Sequence, residues 1–250
     1  MKPKVAIIVP CYNSMEFVDQ CIESVAAQDY ENFEIFAYDN ESTDETFEYL
    51  VDLAKNGIPM NVFKIKNIYP NSYREAFDHA FHTIDAEYFT FIASDDYVSK
   101  DYISNCMEII LHNPEKIKCI QSHIAGVQNG VQVNKIQNSY KGLADFKKQC
   151  MERSPVCTPT VIYHRDVYDH LVMEAHKEND ITPAGAADYD MFCCLADNGV
   201  LIYPVPRHLG YYYRWHGKQC TWRVHESKKE IDYDRVIQEY WKKKWQPQAE

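Results

Sequence analysis

Apolar runs alternate with amphipathic stretches along the first hundred residues of the chain. The runs that fit strands cover residues 4–10, 33–38, 61–66 and 88–93. The stretches whose apolar side chains recur with helical spacing cover residues 14–28, 42–55 and 72–83. Strands that alternate with helices imply a largely parallel sheet that is covered on both faces. The pattern therefore predicts an α/β protein.

Hydroxyl side chains stand where the first two predicted helices begin. Ser14 opens the first helical stretch, and Ser42 and Thr43 open the second. A hydroxyl at such a position can accept a hydrogen bond from a backbone N–H of the first helical turn. We therefore expect Ser14 to cap the first helix and Ser42 or Thr43 to cap the second.

The pattern becomes less regular after Asp101. Helices are predicted over residues 102–113, 142–153, 188–198 and 230–245. Strands are predicted over residues 118–124, 131–136, 160–164 and 200–203. Because no internal repeat or low-complexity linker interrupts this part, we expect one mixed, extended sheet. Residues 1–225 would form a single domain, and residues 226–250 a helical extension.

Polar residues gather where the predicted strands end. Residues 9–13 close the first strand, residues 39–44 the second and residues 94–96 the fourth, while residues 187–190 open a late helix. In parallel α/β sheets ligands bind at the carboxyl ends of the strands. Each cluster alone also fits a turn or a helix cap, and the helix dipole alone favours Asp188. Their joint occurrence favours a binding site.

Asp95 and Asp96 are adjacent carboxylates at the end of an apolar strand. Two such groups repel each other unless a cation lies beside them. Carboxylate oxygens with open positions suit Mg²⁺ or Mn²⁺ that bridges phosphates. With only eight glycines, the chain contains neither a GxGxxG nor a GxxxxGK[ST] phosphate loop. A metal held by carboxylates is therefore the expected means of binding a phosphate.

Composition excludes several classes of partner. The formal net charge of −11 argues against a nucleic acid, which needs a concentrated positive surface. The best candidate for an apolar segment, residues 5–9, is too short for a membrane span or a signal peptide. Nine cysteines without CxxC spacing fit reduced, buried thiols better than a zinc site. We therefore expect a cytoplasmic protein.

Taken in order, these clusters resemble the family 2 glycosyltransferases of the GT-A fold over about residues 3–222. Residues 39–44 (DNESTD) are similar to that family's D-[DN]-G-S-T-D turn, with Glu41 in the place of glycine. Residues 9–13 resemble the family's first-strand signature, and residues 95–96 match the end of its D-x-D-D motif. Residues 187–190 resemble its E-D-Y-D motif, and residues 213–216 its Y-R-x-H motif. The resemblance implies a Rossmann-like mixed central sheet with helices on both faces.

The resemblance also implies a role for each matching residue. The nucleotide-sugar donor would contact Pro10, Tyr12, Asn13, Asp39, Arg74, Ser94 and Asp95. Among them, Asp39 would bind the base, most often uracil, and Asp95 the ribose or a metal-bound water. Asp96 and His216 would hold Mn²⁺ or Mg²⁺. Asp188 would be the catalytic base.

A sugar transfer requires this chemistry. The leaving nucleoside diphosphate gains negative charge, which a divalent cation stabilises. The acceptor hydroxyl is a poor nucleophile, so a carboxylate must remove its proton. One base behind the anomeric carbon gives direct displacement with inversion. The resemblance therefore implies transfer from a UDP-sugar to a hydroxyl of a glycan or another acceptor, as in polysaccharide biosynthesis.

Three departures from the family pattern keep an alternative open. Ala93 and Ala187 replace acidic residues, and residues 72–76 keep only Arg74 of the usual A-R-N-x-G. The loss of acidic residues at Ala93 and Ala187 is the one sequence hint of a non-catalytic module that binds a sugar nucleotide or a glycan. A nucleotidyltransferase would need a glycine-bearing or basic loop after the first strand, and residues 11–16 contain neither.

Aromatic residues near the end of the chain have two interpretations. The group that can either stack on sugar rings or fill the core consists of Tyr211, Tyr212, Tyr213, Trp215 and Trp222. Residues 241–245 (WKKKW) fit the end of a membrane-surface helix or a solvated helix end. Because three lysines attract an acidic membrane weakly, peripheral membrane contact is possible but the solvated end is favoured.

Overall fold

The computed structural model describes residues 2–67, 72–181, 185–219 and 231–246, with only the backbone at residues 72–75. The strands are β1 (Val5–Cys11), β2 (Phe33–Asp39), β3 (Met60–Lys64), β4 (Tyr88–Phe91), β5 (Tyr97–Val98), β6 (Cys119–Gln128), β7 (Val131–Gln132), β8 (Val161–His164) and β9 (Ile202–Arg214). The α-helices are α1 (Val18–Ala26), α2 (Thr46–Lys55), α3 (Ser72–Thr83), α4 (Tyr102–His112), α5 (Leu143–Cys150), α6 (Glu174–Glu178), α7 (Ala187–Asp197) and α8 (Tyr233–Trp245). Short 3₁₀ helices cover Thr158–Thr160 and Arg165–His170.

The strands form one mixed sheet in the order β3-β2-β1-β4-β8-β6-β9-β5, with β7 paired to β6. Strands β3, β2, β1 and β4 are parallel. Strand β8 runs antiparallel between β4 and β6, and β9 runs parallel to β6. The carboxyl ends of β1, β2, β4 and β9 therefore lie at the same edge of the sheet, together with the beginning of β8.

Two hydrophobic clusters cover the two faces of this sheet. Along β1, Ala6 and Ile8 belong to one cluster, whereas Val5, Ile7 and Val9 belong to the other. The first cluster contains α3, α7 and α8, and the second contains α1 and α4. Because successive side chains of a strand point to opposite faces, an all-apolar β1 requires both layers. The layered α/β prediction is confirmed.

The last strand is much longer than the predicted residues 200–203. Strand β9 covers Ile202–Arg214 and includes two prolines, Pro204 and Pro206, which break the alternation that identifies a strand. Its pairing with β6 shifts register between Gln121 and His123, so the proline-containing part bulges out of the ladder. Prolines tolerated at such a bulge hid this strand from the sequence pattern. Strand β5 and helix α6 were also missed.

The predicted caps of the first two helices are wrong. Helix α1 begins at Val18, and Ser14 contributes its carbonyl, which accepts from Phe17 N at 2.8 Å, while its hydroxyl bonds elsewhere. Helix α2 begins at Thr46, whose N–H donates to Asp44 Oδ1 at 3.1 Å. The hydroxyls are not free to cap because their hydrogen bonds join the loops that follow β1, β2 and β4.

The C-terminal helix α8 packs into the core of the protein. Ile237 and Trp241 are fully buried in the cluster that also contains α7. The predicted domain boundary at 225/226 and the predicted helix start at residue 230 lie outside the described residues. Across the described part of the chain, no helix combines the length and apolar character that a bilayer span needs.

Candidate functional site

Asn13 joins the loops that follow β1 and β2. Its Oδ1 accepts hydrogen bonds from Thr43 N at 2.8 Å and Asp44 N at 3.4 Å, and its own N–H donates to Ser42 Oγ at 3.0 Å. Asn13 adopts a left-handed conformation (φ 50°), which asparagine tolerates better than most residues. The two loops therefore form one rigid wall at the edge of the sheet.

Asp39, the last residue of β2, presents an unsatisfied carboxylate oxygen behind this wall. It is fully buried, and its Oδ2 accepts from Ser42 N at 3.1 Å. Its Oδ1, like Oδ1 of the neighbouring Asn40, is buried without a hydrogen-bond partner among the described residues. Buried acceptors of this kind are normally satisfied. The pair fits a ligand that brings N–H donors to this point.

Glu41 stands where the resembling motif has glycine. Its φ of 54° lies in the left-handed region, which glycine enters without steric cost. The backbone of this turn therefore explains why glycine is usual here. Glu41 Oε2 accepts a hydrogen bond from Asn67 N at 3.1 Å, and this contact ties the turn to the segment after β3.

Ser94 lies against the loop that follows β1. Its hydroxyl is 2.7 Å from the Ser14 hydroxyl, and Ser14 Oγ also accepts from Tyr12 N at 3.2 Å. Tyr12 is 45% exposed, which leaves its ring face open to a ligand. Pro10 lies in β1 opposite Tyr38 of β2. The predicted donor-binding residues of β1 and β4 are thus neighbours.

The two adjacent carboxylates have different environments. Asp96 is fully buried, and its oxygens accept from Arg214 N and from the Tyr211 hydroxyl, both at 2.7 Å. Burial, followed by the charge of Asp95, raises the pKa of Asp96 well above its usual range despite these hydrogen bonds. Asp95 remains partly exposed, with Oδ2 at 3.0 Å from His216 Nε2. Asp96 therefore holds protein groups, whereas Asp95 faces the site.

Strand β5 explains how His216 reaches Asp95. It follows the two aspartates directly and pairs with the end of β9, Tyr97 opposite Tyr212. The His216 ring packs on Phe17 at 4.2 Å, and its Nδ1 accepts from Lys218 N at 3.2 Å. No group of three His, Cys, Asp or Glu side chains that could hold a metal ion occurs among the described residues. Because Nδ1 accepts from Lys218 N, Nε2 carries the proton and donates to Asp95, so His216 would have to release this proton to bind a metal.

One cationic side chain, that of Arg214, lies beside the pair of Asp95 and His216. The Arg214 guanidinium lies 4.9 Å from the centre of the Phe17 ring and 5.6 Å from that of Tyr97. It also donates to Gln20 Oε1 at 2.7 Å. Packing of this kind holds a guanidinium in one orientation. The sequence pattern identified Arg214 only as part of a motif, because its partners lie far away along the chain.

Asp188 lies in the first turn of α7. Its Oδ1 accepts from Tyr189 N at 2.9 Å, and its Oδ2 accepts a hydrogen bond from the Thr158 hydroxyl. Thr158 belongs to the 3₁₀ helix that precedes β8, and Thr90 of β4 lies opposite Ile162 of β8. The beginning of β8 is therefore at the carboxyl end of β4, which places Asp188 at the same edge as Asp95.

The remaining predicted residues divide into three groups. Arg74 lies in α3, but its side chain is outside the described part of the chain, as is Trp222. Tyr211 is fully buried and Tyr212 stacks on Tyr97 with ring centres 4.8 Å apart, so these two have packing roles. Trp215 is 38% exposed and remains available to a sugar ring. Thr158 was missed, and no sequence signal pointed to it.

Comparison with known proteins gives a family match. The model of glycosyl transferase family 2 matches residues 6–172. A dolichyl N-acetyl-alpha-D-glucosaminyl phosphate 3-beta-D-2,3-diacetamido-2,3-dideoxy-beta-D-glucuronosyltransferase from Methanococcus voltae is 25% identical over 84% of this chain and 66% of its own. An uncharacterized glycosyltransferase from Rickettsia felis is 30% identical over 64% of this chain and 25% of its own. The chain thus spans two thirds or less of the length of these relatives.

Solved structures share the fold. TarS from Staphylococcus aureus in complex with UDP-GlcNAc superposes with a TM-score of 0.65 at 22% identity, covering 86% of this chain and 60% of TarS. The mannosyltransferase PcManGT from Pyrobaculum calidifontis, in complex with GDP-Man and Mn²⁺, gives a TM-score of 0.60 at 15% identity. The match covers 91% of this chain and 62% of PcManGT. These matches confirm the predicted GT-A fold.

Proposed function

Because the chain belongs to glycosyl transferase family 2, we propose that it transfers a sugar from a nucleotide-diphosphate donor to a hydroxyl acceptor. The observation that carries this proposal is the placement of Asp39, Asp95 and Asp188 at one edge of the sheet. The names of the relatives and the UDP-GlcNAc in TarS support the same reaction class.

The donor base would lie against Asp39. The Oδ1 atoms of Asp39 and Asn40 have no partner among the described residues, so either one could accept the single N–H that uracil offers at N3. Tyr12 has an exposed ring for the base, and Pro10 and Asn13 shape the wall. We therefore propose a UDP-sugar donor.

Asp95 and His216 would hold a divalent cation, Mn²⁺ or Mg²⁺. The sequence prediction gave the metal to Asp96 and His216, but both oxygens of Asp96 accept hydrogen bonds inside the protein. Asp95 offers a partly exposed carboxylate directly opposite His216 Nε2, and phosphate and water oxygens can complete the coordination. When bound, the cation supplies Lewis-acid stabilisation of the charge that develops on the diphosphate.

Asp188 would act as the general base. In the transfer, the acceptor oxygen forms a bond to the anomeric carbon while the bond from that carbon to the diphosphate oxygen breaks. The acceptor proton moves to the Asp188 carboxylate, and the electron pair leaves with the diphosphate. A single base on the side of the acceptor gives inversion. The Thr158 hydroxyl fixes the orientation of the carboxylate.

A panel of UDP- and GDP-sugars tests the donor prediction. We expect a UDP-sugar at about 100 times its Kd, with Mn²⁺, to stabilise the fold by about 2.7 kcal/mol. For a chain of this size, that gain raises Tm by roughly 5–10 °C in a thermal-shift assay. GDP-sugars and UDP-sugars with EDTA are the controls. Release of UDP from the donor would support the proposal that the protein is a transferase. A rise in Tm without release of UDP would favour the alternative, a non-catalytic binding module.

Replacement of Thr158 by valine tests the support of the base. The change removes the hydroxyl that donates to Asp188 Oδ2 and keeps the size of the side chain. A hydrogen bond to a charged group contributes about 1.5–3 kcal/mol, so we expect kcat to fall about 10- to 100-fold. The Kd for UDP should not change. Thr158→Ser, which keeps the hydroxyl, should retain near-normal kcat; equal rates for the two variants would exclude this role.

A further inference from the structure

A buried polar chain connects the C-terminal helix to the segment before Asp188. Trp241 of α8 donates through Nε1 to Asp190 Oδ1 at 2.9 Å. Asp190 Oδ2 accepts from His176 Nδ1 at 2.9 Å and from His176 N at 3.0 Å. The other ring nitrogen of His176, Nε2, lies 2.9 Å from the carbonyl oxygen of Gly185. Asp190, His176 and Trp241 are all buried. The chain thus runs from α8 through α7 and α6 to Gly185.

The geometry favours the imidazolium form of His176. Both ring nitrogens face acceptors, a carboxylate and a carbonyl, so both must carry a proton to donate. Burial alone would lower the pKa of His176, but the hydrogen bonds to Asp190 and Gly185 outweigh it and raise the pKa. A neutral ring would leave one buried acceptor without its donor.

The segment that begins at Gly185, which the buried polar chain contacts, leads directly into the first turn of α7. Gly185 is three residues before Asp188, and the intervening Ala186 has a left-handed φ of 53°. The backbone of Ala186 accepts from Asp190 N at 3.2 Å, which begins the helix. Tyr233 of α8 packs so closely on Gly185 that an added Cβ would lie 2.6 Å from its Cδ2. Helix α8 therefore contacts this turn both through its side chains and through the buried chain.

We propose that Trp241, Asp190 and His176 are positioning residues that fix the first turn of α7, and with it Asp188, so that α8 is required for sugar transfer. This inference rests on the proposed role of Asp188 as general base. Donor binding would not depend on this buried polar chain, because Asn13, Asp39 and Asp95 lie at or just after the ends of β1, β2 and β4. The expected signature is a loss of kcat at constant affinity for UDP.

Helix α8 provides a matched control for this proposal. Trp245 makes the same kind of hydrogen bond as Trp241, from Nε1 to Asp197 Oδ1 at 2.8 Å. Asp197 is the last residue of α7, so this bond fixes the far end of that helix. Trp241→Phe and Trp245→Phe each remove one indole donor and keep an aromatic ring. Only Trp241→Phe affects the end of α7 that carries Asp188.

The experiment measures kcat by UDP release from the UDP-sugar that the donor panel identifies, and the Kd for UDP with MnCl₂. We expect Trp241→Phe to lower kcat at least tenfold, Trp245→Phe to change it less than twofold, and both to keep the Kd of the unmodified protein. Hydrogen exchange should become faster over residues 185–190 in Trp241→Phe and stay the same over residues 39–44. Asp190→Asn, which preserves volume, should reproduce both effects.

Two outcomes separate this proposal from the proposed function. Equal kcat values for Trp241→Phe and Trp245→Phe, while Asp188→Asn is inactive, would overturn the positioning role and leave the base in place. Full activity of Asp188→Asn would overturn the role of Asp188 and the positioning proposal with it. A loss of UDP affinity in Trp241→Phe as large as the loss of kcat would also contradict the proposal, because it would show a general loss of fold.

Discussion

Asp188→Asn is expected to bind UDP as tightly as the unmodified protein and to lose sugar transfer by roughly 10²–10⁴-fold, the usual contribution of a general base. Asparagine keeps the size of the side chain and one oxygen that can accept from Thr158 or from Tyr189 N. It cannot take a proton from the acceptor. The loss should therefore appear in kcat, measured as UDP release at saturating donor and acceptor.

Asp197→Asn is the matched control for this experiment. Asp197 is also an aspartate of α7, at its last residue, and its oxygens accept from Trp245 Nε1 and pair with Lys244. Because this carboxylate lies at the opposite end of the helix, kcat should stay within about twofold of normal, since a surface ion pair contributes only about 0–1 kcal/mol. Unchanged turnover in Asp188→Asn would remove Asp188 from the mechanism.

Separate replacements of Asp95 and Asp96 should have different effects. Asp95→Asn should abolish the gain in UDP affinity that Mn²⁺ gives, because an amide oxygen is a poorer ligand than a carboxylate, and should leave Tm nearly unchanged. Asp96→Asn sets an amide against two buried donors, Arg214 N and the Tyr211 hydroxyl. That mismatch costs about 1–3 kcal/mol, so Tm should fall by roughly 2–12 °C.

Titration of each variant with UDP, in the presence of MnCl₂ or EDTA, gives the first readout, and thermal melting gives the second. The assignment of the metal to Asp95 would be wrong if Asp95→Asn kept its response to Mn²⁺ while Asp96→Asn lost it without a change in Tm. That result would restore the original prediction for Asp96.

The sequence was sufficient for the parts of the fold that are locally encoded. Strands β1 and β4 are almost entirely apolar because both faces are covered, and such runs are visible without the structure. The acidic clusters were found because they follow those runs. In contrast, β9 was shortened in the prediction since Pro204 and Pro206 conceal it.

The different environments of Asp95 and Asp96 could not be predicted from the sequence. Two adjacent aspartates look alike until it is known which one faces Tyr211 and the backbone of Arg214, more than a hundred residues away. The same holds for Thr158, whose relevance depends on a contact with Asp188 across 30 residues. Contacts that are distant along the chain set these roles, and periodicity carries no information about them.

The reversed direction of β8 has a consequence for how this scaffold can diversify. Asp39 and Asp95 reach the edge of the sheet where their strands end, whereas Thr158 lies there before its strand begins, because β8 is antiparallel to both neighbours. The connection from α5 to β8, residues 151–160, therefore crosses the rim on the side of Asp188. Insertions in this connection would enlarge the acceptor side without displacing β1 or β2. Under the proposed function, changes of acceptor could accumulate there while the nucleotide-binding loops stay the same.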